Sequence, residues 1–185
     1  MKSTLPITVL VLFGLLVPAV SFEAQTTRAN LTTPKQLVIE LDVPAPISAV
    51  WEAFTTSDGL KTWLAPETSV DLRPGGEWTV RFPGGSTGGG TIVSFVSQKE
   101  LVLAALAPDQ FPHVRAERTH AVFQFEPRGD STIVRLTQSG WKDGPEWNRA
   151  YEYLVSGNAQ LLAMLHRRFV QGPTDWTKSL PVSSK

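Results

Sequence analysis

Few side chains in this sequence have the type and spacing that catalysis or metal binding needs. None of the three histidines, His113, His120 and His166, belongs to a His-x-x-x-His pair, and a zinc site needs three or four convergent ligands. The chain has no cysteine, which excludes disulfides, thiolate catalysis and cysteine-ligated metals. We find no paired carboxylates and no activated nucleophile. We therefore predict no catalytic residue, no metal site and no cofactor.

A glycine-rich segment, Gly84-Gly85-Ser86-Thr87-Gly88-Gly89-Gly90, invites a phosphate-loop interpretation. That motif fails here, because no Lys-Ser or Lys-Thr pair follows the glycines. The next element is predicted to be a strand, which offers no helix N-terminus to a phosphate. We therefore predict that residues 83–90 form the mobile tip of a hairpin that guards the mouth of a cavity.

The best candidates for a binding function are aromatic and polar residues placed to face an interior space. Tyr151 and Asn158 lie on the inward stripe of a predicted C-terminal helix, where a lone amide is costly unless it is hydrogen-bonded. Asn158 therefore meets a buried partner or faces a polar group of a ligand, and Tyr151 could offer its hydroxyl to the same space. For any single aromatic residue, packing in the core is the simpler interpretation. The residues that we predict to line a ligand cavity are Trp63, Trp78, Phe82, Phe95, Phe123, Trp141, Trp147, Tyr151, Asn158 and Leu162.

The elements that must position these residues follow from periodicity and from turn residues. Apolar and polar residues alternate along several short segments, which is typical of strands, and the connections are too short for crossovers between parallel strands. Val50, Trp51 and Phe54 recur at helical spacing, and Pro46 suits the first turn of that helix. We predict antiparallel strands near residues 36–43, 69–72, 77–82, 91–97, 100–107, 121–126 and 132–138, a helix over 47–54, a helical turn over 60–64 and a loop containing Pro108 and Pro112.

The last predicted element is also the longest. From Glu146 to Val170 the chain has no proline, and apolar residues recur at helical spacing. At 1.5 Å per residue this helix is on the order of 37 Å long, enough to cross a whole sheet. Its apolar stripe must dock on the sheet, which must curl around it and can leave space for an apolar ligand. The predicted fold class is therefore α+β, with a curved antiparallel sheet around a long C-terminal helix.

The two ends of the chain differ from its middle. Lys2, the apolar run 5–20 and the small residue Ser21 predict a signal peptide that is cleaved after Ser21. Cleavage after Ala24 and an uncleaved anchor are the alternatives, although the run is shorter than the roughly 20 residues that span a bilayer. The mature protein would then be secreted or periplasmic, without stable membrane insertion. The predicted divisions are 1–21 signal peptide, 22–35 flexible leader, 36–171 folded domain and 172–185 flexible tail.

Several short segments occur in a characteristic order between residues 36 and 170. They are Val43-Pro44-Ala45-Pro46, Val50-Trp51-Glu52-Ala53-Phe54-Thr55, Leu60, Trp63-Leu64-Ala65-Pro66, Arg73-Pro74-Gly75-Gly76, Thr132-Ile133-Val134-Arg135-Leu136-Thr137, Gly140-Trp141, Glu146-Trp147, Leu161, Leu162 and Leu165. In this order the chain resembles the helix-grip superfamily known as SRPBCC or START-like. Within that superfamily it resembles the family of activator of heat shock protein 90 ATPase homologue 1-like domains. The resemblance implies about seven antiparallel strands that grip the C-terminal helix around a cavity.

The resemblance implies less about function than about fold. Relatives in the superfamily bind lipids, hormones or polyketides, some catalyse cyclisation, and the co-chaperone that names the family has a second, chaperone-binding domain that this chain lacks. The formal net charge is zero, so nucleic acid is not an expected partner. We expect an exported START-like domain that binds an apolar or amphipathic small molecule or lipid. The alternatives are a cavity-based enzyme of the cyclase or hydrolase type and a co-chaperone-like interaction module with an unknown protein partner.

Overall fold

The computed structural model describes residues 35–179. The predicted signal peptide, the predicted leader up to residue 34 and residues 180–185 of the predicted tail lie outside the described residues. Between residues 35 and 179, no helix is long and apolar enough to cross a membrane.

The described chain folds into one antiparallel sheet and a long C-terminal helix, with four shorter helices between and after the strands. Across the sheet the strands follow the order β1-β7-β6-β5-β4-β3-β2, and every neighbouring pair is antiparallel. This arrangement confirms the predicted α+β helix-grip fold. The strands are β1 (Leu37–Val43), β2 (Glu67–Val70), β3 (Glu77–Arg81), β4 (Thr87–Val96), β5 (Glu100–Ala105), β6 (Thr119–Arg128) and β7 (Ser131–Ser139). The helices are α1 (Ile47–Thr55), α2 (Ser57–Lys61), α3 (Pro112–Glu117), α4 (Pro145–Gln171) and α5 (Trp176–Ser179).

One face of the sheet is apolar because apolar residues alternate with polar ones along the strands. On β6, Ala121, Phe123 and Phe125 are buried, whereas Gln124 and Glu126 between them are exposed. Successive side chains of a strand point to opposite faces, so the three buried residues, Ala121, Phe123 and Phe125, share the inner face. That face forms the core of the domain, and the other face meets solvent.

Helix α1 covers one end of the inner face. The ring of Phe54 is fully buried, with its centroid 5.1 Å from the ring centroids of both Trp63 and Phe123. The indole N–H groups of Trp63 and Trp78 donate to the carbonyls of Ala53 and Phe54, at 2.9 and 2.7 Å. These carbonyls belong to the last turn of α1, where the helix itself provides no partner. The two tryptophans therefore join the helix end to the rest of the core.

Helix α4 is anchored near both of its ends and stands apart from the core in its middle. Trp147 and Ala150 are buried near the start of the helix, and Leu162 and Leu165 are buried nearer its end. None of the residues 151–161 between them is buried. The helix therefore bridges a gap above the sheet.

Helix α3 lies where the sequence predicts a loop around Pro108 and Pro112. Pro112 occupies the first helical position, where its missing N–H has no cost. The backbone N–H groups of His113 and Val114 donate to Oε1 of Glu146, at 2.8 and 3.2 Å. Because Glu146 comes from the start of α4, a distant part of the chain satisfies the first N–H groups of this short helix. The local sequence around Pro112 cannot show that interaction.

The sequence predicts that the glycine-rich residues 83–90 form a hairpin tip, and this prediction is wrong for the second half of the segment. Strand β4 already begins at Thr87, so the turn between β3 and β4 is confined to residues 82–86. Gly89 has a φ of +116°, and a Cβ added there would lie 2.0 Å from the carbonyl oxygen of Trp78. Glycine at this position therefore allows β4 to approach β3 closely.

Residues 172–179, which we predict to be part of a flexible tail, contact the domain. The N–H of Thr174 donates to the carbonyl of Thr62 at 2.8 Å. The indole N–H of Trp176 donates to the carbonyl of Lys61 at 2.6 Å. Residues 174–176 therefore lie against the end of α2, in contrast to the flexible tail that the sequence predicts.

Candidate functional site

A cavity of about 480 Å³ lies between the inner face of the sheet and the middle of α4. This volume falls within the roughly 300–1,000 Å³ of pockets that bind drug-sized ligands. Strand residues line one side, α4 lines the opposite side, and the β3–β4 connection and α5 complete the wall. The lining includes Trp78, Val80, Leu103, Ala121, Phe123, Leu136 and Gln138 from the strands, Tyr153, Leu154, Gly157, Asn158, Leu161 and Met164 from α4, and Phe82, Leu106, Pro108 and Trp176 from other segments.

The cavity exists because small residues occupy positions where a closed core would have large ones. Gly88, Ala105 and Ala121 line it from the strands, and Gly157 lines it from α4. A Cβ added at Gly157 would meet no atom within 4 Å. Protein interiors are otherwise packed as densely as organic crystals, so an open volume of this size is a specific feature of the region. The anchored ends of α4 hold the helix above it.

The wall of the cavity includes a chain of three hydrogen-bonded polar side chains. Nδ2 of Asn158 on α4 donates to Oε1 of Gln138 on β7 at 2.8 Å. Nε2 of Gln138 donates in turn to Oγ1 of Thr119 on β6 at 2.7 Å. Gln138 is 3% exposed and Thr119 is 1% exposed. Asn158 therefore meets a buried partner, which is one of the two alternatives that the sequence leaves open, and it also lines the cavity.

The residues that line the cavity include no Asp, Glu, His, Lys or Arg. One cation reaches the lining, because Nη2 of Arg115 donates to Oγ1 of Thr87 at 3.2 Å. Its guanidinium is already paired with Asp109 and bonded to the carbonyl of Ala107. A buried charge is costly unless it is paired and hydrogen-bonded, so this wall suits an uncharged molecule.

Ionisable groups elsewhere form no recognisable centre. Among residues 35–179, no cluster of three or more His, Asp or Glu side chains is placed to hold a metal ion. Asp175 lies at the surface beside α5, where the hydroxyl of Thr177 and the ammonium of Lys178 lower the pKa of its carboxyl to about 2. These bonds are local to the start of α5.

Ser86 is the centre of a Gly-x-Ser-x-Gly sequence, Gly84-Gly85-Ser86-Thr87-Gly88, which is the spacing of a hydrolase nucleophile elbow. In that motif the serine stands on a turn between a strand and a helix, whereas Ser86 stands between the strands β3 and β4. Ser86 lines the cavity, but the lining offers no histidine or carboxylate to activate it. The segment therefore does not form a nucleophile elbow.

The structure brings only part of the predicted site together. Trp78, Phe82, Phe123 and Asn158 line the cavity. Trp63 and Leu162 are instead buried in the main core, and Phe95 packs against that core from its edge. The periodicity of a strand or a helix identifies the inward face, but it does not separate inward residues that fill the core from those that border a space.

Trp141, Trp147 and Tyr151 form a separate aromatic cluster at the start of α4. The ring centroids of Trp141 and Trp147 are 6.4 Å apart, those of Trp141 and Tyr151 are 5.1 Å apart, and both pairs are edge-to-face. The hydroxyl of Tyr151 donates to the carbonyl of Gln36 at 3.0 Å. Tyr151 therefore binds the start of the domain and does not offer its hydroxyl to the cavity, contrary to the prediction.

Among the lining residues that sequence reasoning missed are Gln138, Gly157 and Trp176. Gln138 follows Leu136 by two positions on β7, so strand alternation already places its amide on the inner face. A glycine inside a helix costs about 1 kcal/mol relative to alanine, so Gly157 also carried a signal. Trp176 had none, because its position depends on contacts with α2 that are distant in sequence.

A second depression, of about 670 Å³, is lined by the β4–β5 turn and by parts of β6 and β7. It is larger than the cavity under α4, but exposed charged side chains, those of Lys99, Glu126 and Arg135, take part in its lining. Such a groove exposes charged groups that an apolar ligand would have to cover. We therefore take the cavity under α4 as the candidate site.

The model of the family described as "Activator of Hsp90 ATPase homolog 1-like protein" matches residues 44–169 of the chain. No curated protein sequence matches the chain. The chain is similar to solved structures of protein MLL2253 from Mesorhizobium loti (21% identity, TM-score 0.63, 76% of this chain and 100% of that chain) and of Aha1 from Colwellia psychrerythraea, solved as a dimer (22%, 0.61, 75% and 98%). It is also similar to CalU16 from Micromonospora echinospora (20%, 0.58, 77% and 78%). At these identities the structural likeness shows the fold alone.

Proposed function

Because this chain belongs to the family of activator of Hsp90 ATPase homolog 1-like proteins, a family with the START-like fold, we propose that it binds an uncharged apolar or amphipathic small molecule. The binding site is the cavity between the sheet and α4. The observation that carries the proposal is the wall of this cavity, which is mostly apolar and includes no charged side chain. Burial of apolar ligand surface there would contribute about 25 cal/mol per Å².

A neutral fluorescent probe, N-phenyl-1-naphthylamine, tests the proposal. The purified domain is expected to bind the probe and to raise its fluorescence. The anionic dye 1-anilinonaphthalene-8-sulfonate is expected to bind at least about tenfold more weakly, because the cation that reaches the wall, Arg115, is already paired with Asp109. A protein that binds neither dye, or that prefers the anionic one, would contradict the proposal.

Gly157→Phe provides the sharper test, because Gly157 lines the cavity and a Cβ built there meets no atom within 4 Å. The variant is expected to lose at least about tenfold in affinity for the neutral dye, since the ring occupies volume that the ligand needs. Ala159→Phe is the matched control, because it places the same ring on an exposed position of the same helix. Both variants should keep the melting temperature of the wild type within a few degrees. Unchanged dye binding in a folded Gly157→Phe variant would place the binding site elsewhere.

The alternatives that the sequence leaves open find less support. Cyclase or hydrolase chemistry needs groups that move protons, and the lining residues include no Asp, Glu, His, Lys or Arg. A co-chaperone-like role rests on the name of the family alone. We therefore advance binding as the function.

We also propose that the protein is exported, on the basis of Lys2, the apolar run 5–20 and the small residue Ser21. Expression in a native-like host with a C-terminal tag, followed by N-terminal sequencing of the tagged product, tests this proposal. The expected mature protein begins at Phe22, and a start at Gln25 would indicate export with cleavage after Ala24. A tagged product that keeps Met1 and stays in the cytosol would contradict export.

A further inference from the structure

The cavity under α4 is apolar except at a few places, and the chain Thr119–Gln138–Asn158 is the most buried of them. Gln138 stands on the inner face of β7, where Val134 and Leu136 are also buried. A carboxamide in such a position is costly unless its hydrogen bonds are made. The neighbours of Gln138 on β6 and α4 satisfy both ends of this amide.

With the two carboxamides oriented as they are in the structure, one polar atom of Asn158 remains available. Gln138 donates to Thr119 through Nε2 and accepts from Asn158 through Oε1. Asn158 therefore uses its Nδ2 within the chain, and among residues 35–179 its Oδ1 accepts no hydrogen bond. A carboxamide oxygen can accept two hydrogen bonds, so the polar end of this chain is an acceptor on a residue that lines the cavity.

We infer that the ligand carries a hydroxyl or amide N–H group that donates to Oδ1 of Asn158. This inference rests on the proposed function and adds the chemical class of the ligand. The apolar body of the ligand would pack on Leu103, Phe123 and Leu136, which line the same space. Asn158 makes the polar contact with the ligand, and Gln138 is a positioning residue that holds the carboxamide of Asn158 in place.

The same geometry disfavours other polar groups. A carboxylate would bring negative charge towards an acceptor oxygen, and the cation that reaches the wall, Arg115, is already paired with Asp109. This approach is unfavourable in a desolvated site. An ether or an ester has no proton to donate, so it would leave Oδ1 without a partner. A neutral alcohol or amide is the class that matches both the polar end and the apolar remainder.

Three naphthalene derivatives of similar size test the inference by isothermal titration calorimetry at pH 7. They are 2-naphthol, which donates a hydrogen bond, 2-methoxynaphthalene, which cannot donate, and 2-naphthoic acid, which is ionised. The wild type is expected to bind 2-naphthol about fivefold more tightly than the methyl ether, as one net hydrogen bond provides, and to bind the ionised acid most weakly. Equal affinity for the alcohol and the ether would overturn the inference.

Substitutions then assign the preference to the proposed residues. Asn158→Leu is expected to lower the affinity for 2-naphthol to that for the ether while the affinity for the ether changes little. Ala159→Leu, on the exposed side of α4, should keep the wild-type preference. Gln138→Met should reduce the alcohol-to-ether ratio, a readout that a merely structural role of Gln138 would leave unchanged. A preference that survives Asn158→Leu would also overturn the inference.

The outcomes separate this inference from the proposed function. If N-phenyl-1-naphthylamine binds and the alcohol has no advantage, the cavity binds ligands and Asn158 does not select them. If the neutral dye binds but none of the three naphthalene derivatives does, the inference is likewise overturned. If the neutral dye itself fails to bind, the proposed function falls, and the inference falls with it.

Discussion

Two regions of the same sheet face differ in whether their apolar side chains meet. Under α1 the rings are in contact, with the centroids of Phe54 and Phe123 5.1 Å apart and those of Trp51 and Phe125 5.3 Å apart. Under the middle of α4, the strands present Gly88, Ala105 and Ala121 beside larger residues, and the helix presents Gly157. Both regions are apolar. Two factors therefore decide whether this face of the sheet becomes core or cavity. They are the size of the side chains and the distance between the covering helix and the sheet.

Helix α4 itself shows how the open region is maintained. Its start is held by the cluster of Trp147 and Ala150 with Phe111 and Val114, and Leu162 and Leu165 join the main core further on. A helix is stiff over such a distance, so these two contacts hold its middle above the strands, which it reaches through the hydrogen bond from Asn158 to Gln138. The cavity is a consequence of where α4 is anchored.

The largest expected difference between the two regions is in the cost of removing a side chain. Phe54→Ala should lower the free energy of unfolding by about 3–5 kcal/mol, because the buried ring leaves a void in packed surroundings. Leu154→Ala, at a half-buried position that lines the cavity, should lower it by about 1 kcal/mol or less. Urea unfolding of both variants measures this. Similar losses at both sites would remove the distinction between core and cavity.

A smaller difference is expected for the hydrogen bonds of two tryptophans. Trp63→Phe removes the N–H that reaches the buried carbonyl of Ala53, and it should lower the free energy of unfolding by about 1–3 kcal/mol. Trp176→Phe removes a comparable N–H that reaches the carbonyl of Lys61. That bond lies where water can replace the donor, so its loss should be about 0.5 kcal/mol. Chemical denaturation again gives the values, and a larger effect at Trp176 would contradict this account.

The smallest effect expected is a gain in stability. Gly157→Ala should raise the free energy of unfolding by up to about 1 kcal/mol, because alanine is the better helix former and its Cβ meets open space. Gly89→Ala should instead destabilise the protein, because its Cβ would collide with the Trp78 carbonyl. Thermal unfolding of the two variants tests the opposite signs. A loss of stability at Gly157 would mean that another group occupies the space beside this residue.

The fold could be predicted from the sequence because each element carries its own periodicity. The alternation along β6 and β7 and the proline-free stretch of α4 are local signals, and the resulting architecture was confirmed. Helix α3 escaped prediction because its N-terminal capping by Glu146 depends on a distant element. The strand character of residues 87–90 escaped because glycine disfavours strands unless a close approach of another backbone requires it.

The site was less predictable than the fold, for a physical reason. Inward-facing residues can be identified from periodicity, but the volume between them depends on how far apart the elements pack. Trp63 and Trp78 illustrate this, since both are buried indoles that donate to the end of α1, yet only Trp78 lines the cavity. Gln138 could have been identified from its place on the inner face. Its pairing with Asn158, in contrast, depends on how α4 packs above β7.

Trp176 lies beyond residues 44–169, the part of the chain that matches the family model, and yet it lines the cavity. A protein shortened to the shared domain would lose this indole together with the last residues of α4. Its pocket would lack part of a side wall, so ligands would enter and leave along an additional route. Measurements on a version of this protein trimmed after residue 169 would therefore describe a pocket of a different shape.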